Sequence, residues 1–389
     1  MSGNAAAPSP VPQRATDPPS ARWLALACAA LYFVLGRSSP ILFVDFFGFI
    51  EHADLLPGQW LDGFYPTGYP LLLRASFERI GDYAVAGAAI SAVAAAFALG
   101  ATYRIGRALG GSDRAGLAAL ILVAVHPEMV YWSSLGATEV PFLACVGWAL
   151  VFLLEGEARA GWRAGLCLGA AYLVRYTAVA PVAAVLLWML ARRERRRLLA
   201  PFAAAFLLAS ALQWLPSWLL TDDPLWNYQA KNVWFGLHGH GDWDRYWERV
   251  PDAIPWARIV REDGHRLPAH LATNLGHAAA ALTQLGSLPL VGVGALLAIG
   301  ARRRPRGAAL VLATATATVL ATALAFVRPR LLFFPAMALL WLAAALVEAG
   351  GGRRIARWVL VVAVLGGVVA NVYRSPRLHP RVAAYGRVA

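Results

Sequence analysis

The sequence contains few charged residues: Asp, Glu, Lys and Arg make up 15% of its 389 positions, against about 25% in a typical soluble domain. A soluble fold of this length could not bury an apolar fraction of 59% in one core. The apolar residues form runs of about twenty, which is the length that crosses a bilayer as a helix. The composition therefore excludes disorder and collagen-like repeats, and it predicts an all-α, polytopic membrane protein.

Cysteine and the common nucleotide motifs are also scarce or missing. The three cysteines, Cys28, Cys145 and Cys167, lie within apolar runs, which favours packing roles over metal ligation or disulfide bonds. The sequence has no GxxxxGK[ST], no GxSxG and no dinucleotide fingerprint on a strand–helix unit. These absences argue against ATP-driven transport and serine hydrolysis.

Lysine occurs once, at Lys231, so arginine supplies almost all of the positive charge behind the net +13. No motif for nucleic acid accompanies this charge, and the positive-inside rule is the first interpretation. With a cytoplasmic N-terminus, the whole net charge falls on the inner side, including the clusters Arg192–Arg197 and Arg302–Arg306. The sequence therefore predicts a protein of the plasma or inner membrane, with membrane lipids as neighbours and no nucleic acid partner.

The hydropathy pattern predicts about 11 transmembrane helices in one domain, residues 22–373, between a disordered cytoplasmic tail (1–21) and a C-terminal tail (374–389). The predicted spans are 22–36, 84–103, 115–127, 138–154, 162–174, 177–191, 199–220, 279–300, 308–327, 331–348 and 358–373. A tilted or half-buried pair of helices meeting at Arg175 is the alternative to two full spans there. Two long loops, about 37–83 and 221–278, then lie on the outer face, where we expect the chemistry.

Two carboxylates stand close to the predicted outer membrane surface. Asp45 directly follows an apolar segment, where it can act as a general base or help to hold a divalent cation, or simply cap a helix. After it, Phe46, Phe49, Ile50 and Ala53 are spaced as in an amphipathic interfacial helix. Glu139 begins the fourth span, a place that also suits an acid for structural reasons, because helix N-termini favour negative charge. Together they form a candidate pair of catalytic groups.

Three arginines lie next to apolar sequence on the same side: Arg175, Arg328 and Arg330. A guanidinium at membrane depth is costly unless it is paired, so these residues indicate an anionic ligand or a buried carboxylate. Snorkelling to the headgroups is the alternative, above all for Arg328. The stretch HGHGDWD, His238–Asp244, has the residue types of a metal site, but a flexible polar loop explains it better because no established metal motif accompanies it.

Several of these passages follow one another in a familiar order. Asp45 is followed by the aromatic run FYPTGYPLL (64–72), by a span that ends at His126 and Pro127, and by Glu139 in SSLGATEVPF. In this order the chain resembles the GT-C glycosyltransferases, in the branch with aminoarabinose transferases and dolichyl-phosphate-mannose protein mannosyltransferases, over about residues 22–350.

The resemblance implies a membrane enzyme that transfers a sugar from a polyprenyl-phosphate donor to an acceptor hydroxyl on a lipid or glycan. Transfer would occur on the outer face with inversion. By position, Asp45 matches the catalytic base, and Glu139 matches the acid that orients the acceptor or binds a metal. The donor phosphate is assigned to Arg175, Arg330 and Arg328, and substrate binding is assigned to Glu51, His52, Tyr65, Tyr69 and His126.

The chain also departs from the family pattern. Phe46 stands where many relatives have a second acid, so a divalent cation, with Asp45 and Glu139 as its ligands, is a possible cofactor rather than an implied one. Gly68–Pro70 replaces a lysine followed by paired prolines, and this does not support aminoarabinose as the sugar. The alternative function is a polytopic transporter or lipid flippase, with Arg175 and the acids along its path. The sequence shows no convincing internal repeat, which favours the enzyme.

Overall fold

The computed structural model describes residues 18–38, 44–156, 159–238, 246–251, 254–287, 289–293, 295, 305, 307–349, 358 and 361–371. Within these ranges the chain is helical, with turns and short 3-10 segments between the helices, and no described residue belongs to a β-strand. The predicted all-α fold is therefore confirmed.

The α-helices are defined by their bounds. They are α1 Pro19–Ser38, α2 Val44–Leu55, α3 Gly68–Ile80, α4 Tyr83–Gly110, α5 Asp113–Ala124, α6 Pro127–Ser133, α7 Glu139–Glu155, α8 Ala160–Val174, α9 Val179–Ala191, α10 Leu199–Thr221, α11 Gln229–Leu237, α12 Tyr246–Arg249, α13 Trp256–Arg258, α14 Leu267–Gln284, α15 Ala308–Ala325, α16 Phe333–Ala349 and α17 Val361–Asn371. Single 3-10 segments, Tyr176–Ala178, Arg193–Leu198 and Pro329–Leu332, precede α9, α10 and α16.

The predicted count of eleven spans is not confirmed. Among the described residues, five helical segments are long and apolar enough to cross a bilayer: α1, α4, α15, and α10 and α16 with their 3-10 segments. A sixth is the pair α5 and α6 if it counts as one span, bent by 66°. The bend follows from Pro127, which cannot continue α5 and instead starts α6. The predicted span 279–300 overlaps the end of α14 and further helical residues at 287, 289–293 and 295, while residues 288, 294 and 296–300 lie outside the described ranges.

The helices pack into one bundle with charged groups at both ends. α4 contacts α1, α3, α5, α7 and α16, and α8 packs between α7 and α10. Glu155, the last residue of α7, pairs with Arg104 and lies 3.9 Å from Arg107 of α4. Glu139 begins the same helix, and a rise of about 1.5 Å per residue places it roughly 24 Å away. The site described below therefore lies at the end of the bundle opposite to the Arg104–Glu155 cluster.

The amphipathic helix predicted after Asp45 is α2. Its buried face presents Phe46 and Phe49 to Tyr69 of α3, in one small apolar cluster. The ring of Phe46 fits against Gly136, where a Cβ atom would lie 2.2 Å from the ring. This close approach fixes the start of α2, and with it the position of Asp45, relative to the bundle.

We expect Gly136→Ala to destabilise the protein, because the added Cβ overlaps the ring of Phe46 and overpacking typically costs about 1–3 kcal/mol. The measurement is the thermal unfolding midpoint in detergent. Gly276→Ala in α14 is the matched control, since nothing lies within 4 Å of its Cβ position, and it should leave the midpoint unchanged or raise it. Equal midpoints for the two variants would show that Phe46 does not set the position of α2.

Candidate functional site

The first element of the site is an ion pair between Asp45 and Arg330. Asp45 lies in the first turn of α2, and Arg330 lies in the 3-10 segment before α16. Oδ2 of Asp45 contacts Nη1 of Arg330, and about a quarter of each side chain is exposed. Nε of Arg330 is buried and has no hydrogen-bond partner in the described part of the chain. The guanidinium is therefore anchored at one nitrogen and has donor capacity to spare.

Tyr65 lies near the Asp45 carboxylate. The Asp62 carboxylate shapes the loop that carries Tyr65, accepting from the backbone N–H of Phe64 at 2.6 Å and of Tyr65 at 3.2 Å. Burial, and next the negative charge of Asp45, raise the pKa of the Tyr65 phenol. The phenol therefore stays protonated beside this acid.

A second ion pair joins Glu139 to Arg175. Arg175 stands at the break between α8 and the following 3-10 segment, and its Nη1 donates to Oε1 of Glu139 at 2.8 Å and to Oγ1 of Thr138 at 3.3 Å. Only 3% of the Glu139 side chain is exposed. The sequence left two partners open for Arg175, an anionic ligand or a buried carboxylate. The structure shows the carboxylate, because Glu139 compensates the charge of Arg175.

The two ion pairs border one small cavity. Glu139, Arg175 and Arg330 all line it, and its volume of about 10 Å³ has room for about one water molecule. Arg175 and Arg330, both assigned to the donor phosphate on sequence, therefore lie beside the same cavity. Within the described residues, Oε2 of Glu139 has no hydrogen-bond partner, although it is buried.

Tyr69 is the third polar group without a partner in this region. Its side chain is fully buried, and its hydroxyl makes no hydrogen bond among the described residues. Burial, and next the charge of Glu139, raise the pKa of the phenol, so the hydroxyl remains a donor close to that carboxylate. An unsatisfied buried donor is costly and is rare in folded proteins. Tyr69, Glu139 and Arg330 together thus offer unused hydrogen-bonding groups to a polar ligand.

A divalent cation held by Asp45 and Glu139 stays a prediction. Each carboxylate contacts an arginine through one of its oxygens, so a cation would share these acids with Arg330 and Arg175. Among the described residues, no group of three or more His, Cys, Asp or Glu side chains is placed to hold a metal ion.

The HGHGDWD stretch is described only at its first residue. His238 donates from Nδ1 to the carbonyl of Trp234 at 2.9 Å, and its Nε2 lies 3.6 Å from Oδ1 of Asp263. His240, Asp242 and Asp244 lie outside the described residues, so the metal interpretation of this loop stays a prediction.

The other residues assigned to substrate or donor lie in different settings. Glu51 is exposed on α2, and Arg328 is exposed at the start of the last 3-10 segment. His52 is buried, and its Nε2 lies 3.2 Å from the carbonyl oxygen of Trp60. His126 caps α6 through Nδ1, and its Nε2 bonds the carbonyl of Leu285. Both ring nitrogens of His126 thus contact the backbone, and its role in substrate binding stays a prediction.

Sequence reasoning missed a polar network that holds the first loop against the bundle. The side chain of Gln213 in α10 accepts from the backbone N–H of Thr67 at 3.0 Å and donates to the hydroxyl of Tyr176 at 3.2 Å. The Tyr176 hydroxyl donates in turn to the carbonyl of Asp62 at 3.1 Å. A buried glutamine in an otherwise apolar span was the available signal. The network fixes the loop that carries Tyr65 and Tyr69.

An apolar cleft of about 950 Å³ opens beside the site. It is formed by α3, α4, α7, α8 and α10, with side chains such as Phe97, Trp148 and Leu212 on its walls. Three of its lining residues, Gly68, Pro141 and Val174, are sequence neighbours of Tyr69, Glu139 and Arg175. The cleft therefore reaches the buried ion pair at one end.

Comparison with known proteins bears on both sequence and fold. Residues 65–219 match the family described as dolichyl-phosphate-mannose-protein mannosyltransferase. The fold is similar to ArnT from Cupriavidus metallidurans bound to undecaprenyl phosphate, with a TM-score of 0.62 and 16% identity over 91% of this chain and 64% of that one. ArnT in the apo state gives a TM-score of 0.56 and 15% identity over 84% and 59% of the two chains.

No curated protein sequence matches this chain. At such low identity the structural likeness to ArnT establishes the fold, and the chain spans at most 64% of the length of those relatives.

Proposed function

We propose that this chain belongs to the GT-C superfamily and is a membrane glycosyltransferase, a proposal that its fold and the family match of residues 65–219 support. It transfers a sugar from a polyprenyl-phosphate donor to an acceptor hydroxyl, on the outer face of the membrane and with inversion at the anomeric carbon. The observation that carries the proposal is the pair of acid–arginine contacts, Asp45–Arg330 and Glu139–Arg175, beside a large apolar cleft.

The cleft and the charges match the two parts of such a donor. An isoprenoid chain needs an apolar groove, and a cleft of about 950 Å³ with apolar walls provides one. The phosphate also needs a cation, and Arg330, which lines the small cavity with Glu139 and Arg175, has an unpartnered nitrogen. The undecaprenyl phosphate bound to ArnT, whose fold is similar, supports the same class of lipid.

In the reaction that we propose, Asp45 accepts the proton of the acceptor hydroxyl as its oxygen attacks the anomeric carbon. The bond between that carbon and the phosphate oxygen breaks, and its electron pair leaves with the polyprenyl phosphate. Arg330 stabilises the additional negative charge on the departing phosphate. Attack on the face opposite to the leaving phosphate gives inversion.

Glu139 and Arg175 act differently from the assignment made on sequence alone. Because Arg175 is held by Glu139 and Thr138, we assign it to positioning Glu139 and not to clamping the phosphate. The free Oε2 of Glu139 and the hydroxyl of Tyr69 are then available to orient the acceptor. Arg328, which is exposed at the start of the 3-10 segment, stays a proposed contact to the lipid headgroup.

The proposal is tested by incubating the purified protein with a panel of polyprenyl-phosphate sugars and lipid acceptors. We expect release of free polyprenyl phosphate from at least one donor, together with a glycosylated acceptor. Absence of release from every donor, with movement of the same lipids between vesicle leaflets, would instead support the flippase alternative. The family match and the fold favour the transferase.

The orientation has a separate test. In a variant without native cysteines (Cys28, Cys145 and Cys167 replaced by Ala), single cysteines at Gln59 and Glu194 report on opposite ends of the bundle; both positions are exposed. We expect a membrane-impermeant maleimide to label position 59 in intact cells and position 194 only after lysis, because the arginine cluster around Glu194 favours the inner side. Labelling of position 194 in intact cells would reverse the topology.

A further inference from the structure

The ion pair between Asp45 and Arg330 joins two groups that the proposed reaction needs apart. A base must have a free lone pair for the incoming hydroxyl, whereas a phosphate ligand must have free N–H donors. In the structure each of the two groups is instead in contact with the other. We propose that the Asp45–Arg330 contact is a latch that a donor phosphate opens, so that the base becomes available only when donor is bound. This inference rests on the proposed function.

The surroundings of Asp45 explain why the contact blocks it. Arg330 contacts Oδ2 of this carboxylate. With the guanidinium in place, an acceptor hydroxyl must compete with a charged donor for the carboxylate. When Arg330 leaves, Oδ2 is open to the acceptor.

The surroundings of Arg330 explain why it can leave. Its Nε is buried without a partner among the described residues, although the guanidinium as a whole is still a quarter exposed. A phosphate can accept from Nε and a terminal nitrogen together, which is the two-pronged geometry that arginine favours. The contact with Asp45 involves a terminal nitrogen. The phosphate therefore offers Arg330 a partner for the nitrogen that Asp45 leaves unused.

The second ion pair explains why the phosphate takes Arg330, and not Arg175, from its carboxylate partner. Arg175 is held by Glu139 and Thr138, and Glu139 is almost completely buried, so breaking this pair would strand a charge. Asp45 is partly exposed, and in the proposed reaction it is neutralised by the proton that it takes from the acceptor. The cost of separating Arg330 from Asp45 is therefore offset first by the phosphate and then by protonation.

A double-mutant cycle on lipid binding tests the latch without the need to know the sugar. Undecaprenyl phosphate is titrated by calorimetry into wild type, Asp45→Asn, Arg330→Gln and the double variant, all in the same detergent. We expect Asp45→Asn to tighten binding about fivefold, since it removes a partly exposed competitor for Arg330. Arg330→Gln should weaken binding. In the Arg330→Gln background, Asp45→Asn should have no further effect.

The cycle separates the latch from simple repulsion between Asp45 and the phosphate. If Asp45→Asn tightens binding equally with Arg330 present or absent, repulsion accounts for it and the latch is wrong. No change in either background also overturns it. Asp54→Asn is the matched control, because Asp54 lies on the same helix, is half-exposed and pairs with Arg74 at 3.5 Å. It should leave binding unchanged.

Two further measurements keep the outcome decisive. Thermal unfolding verifies that each variant is folded, and Asp45→Ser replaces Asp45→Asn in the cycle if the asparagine variant is not. The transfer assay distinguishes the latch from the proposed function. If the effects of Asp45→Asn and Arg330→Gln on lipid binding are coupled but no glycosyl transfer is detected, the latch is supported and the transferase is rejected. If transfer is detected but the two substitutions act independently on binding, only the latch is rejected.

Discussion

Asp45→Asn is expected to lower the rate of sugar transfer by a factor of about 10²–10⁴, the usual contribution of a general base. Asparagine keeps the size and shape of the side chain, but its amide cannot take up the proton of the attacking hydroxyl. The measurement is the initial rate of polyprenyl phosphate release at saturating donor and acceptor. Donor binding should persist, since Arg330 remains in place.

The matched control for this experiment is Asp54→Asn, which removes a carboxylate from the same helix at an exposed position. It should retain the wild-type rate. If Asp45→Asn keeps more than about a tenth of the wild-type rate, the loss is too small for a missing base. Another group would then accept the proton.

Glu139→Gln is expected to lower both stability and turnover. The substitution leaves the Arg175 guanidinium without its carboxylate inside the bundle, and breaking a buried pair costs up to about 3–5 kcal/mol. It also removes the charge that we assign to orienting the acceptor. Thermal unfolding and the transfer rate per folded molecule measure the two effects separately.

The double variant Glu139→Gln with Arg175→Gln distinguishes the structural role from the catalytic one. Removal of both charges should recover most of the unfolding midpoint, because no unpaired charge remains, while turnover stays low. Recovery of turnover as well would show that Glu139 serves only to hold Arg175. Glu155→Gln is the matched control at the other end of α7, where the partners are Arg104 and Arg107; it should lose stability and keep the rate.

The helical membrane fold followed from local properties of the sequence. Long apolar runs need internally satisfied backbone hydrogen bonds in lipid, which only helices or closed barrels provide, and this predicted the class of fold. The amphipathic spacing after Asp45 predicted α2, and the break at Arg175 was also visible, because both depend on residues close together in the chain. The number of spans was less predictable, since α7, α8 and α9 are short and α5 bends into α6.

The candidate residues were visible in the sequence, but their partners were not. Asp45, Glu139, Arg175 and Arg330 stand out because charged groups beside apolar sequence are costly unless they are paired. Which acid meets which arginine depends on how the start of α2, the start of α7 and the two 3-10 segments pack together. His126 was a candidate ligand, yet one of its ring nitrogens caps α6 and the other contacts the carbonyl of Leu285, far away in the chain.

Apolar length and local periodicity act over a few turns of helix, so the sequence alone determined that this chain is a helical membrane protein with acids and arginines near one surface. Charge pairing acts through space between segments far apart in the chain. Only the tertiary structure could decide that Arg175 belongs to Glu139 and Arg330 to Asp45, because the low dielectric of the bundle rewards whichever opposite charges the packing brings into contact.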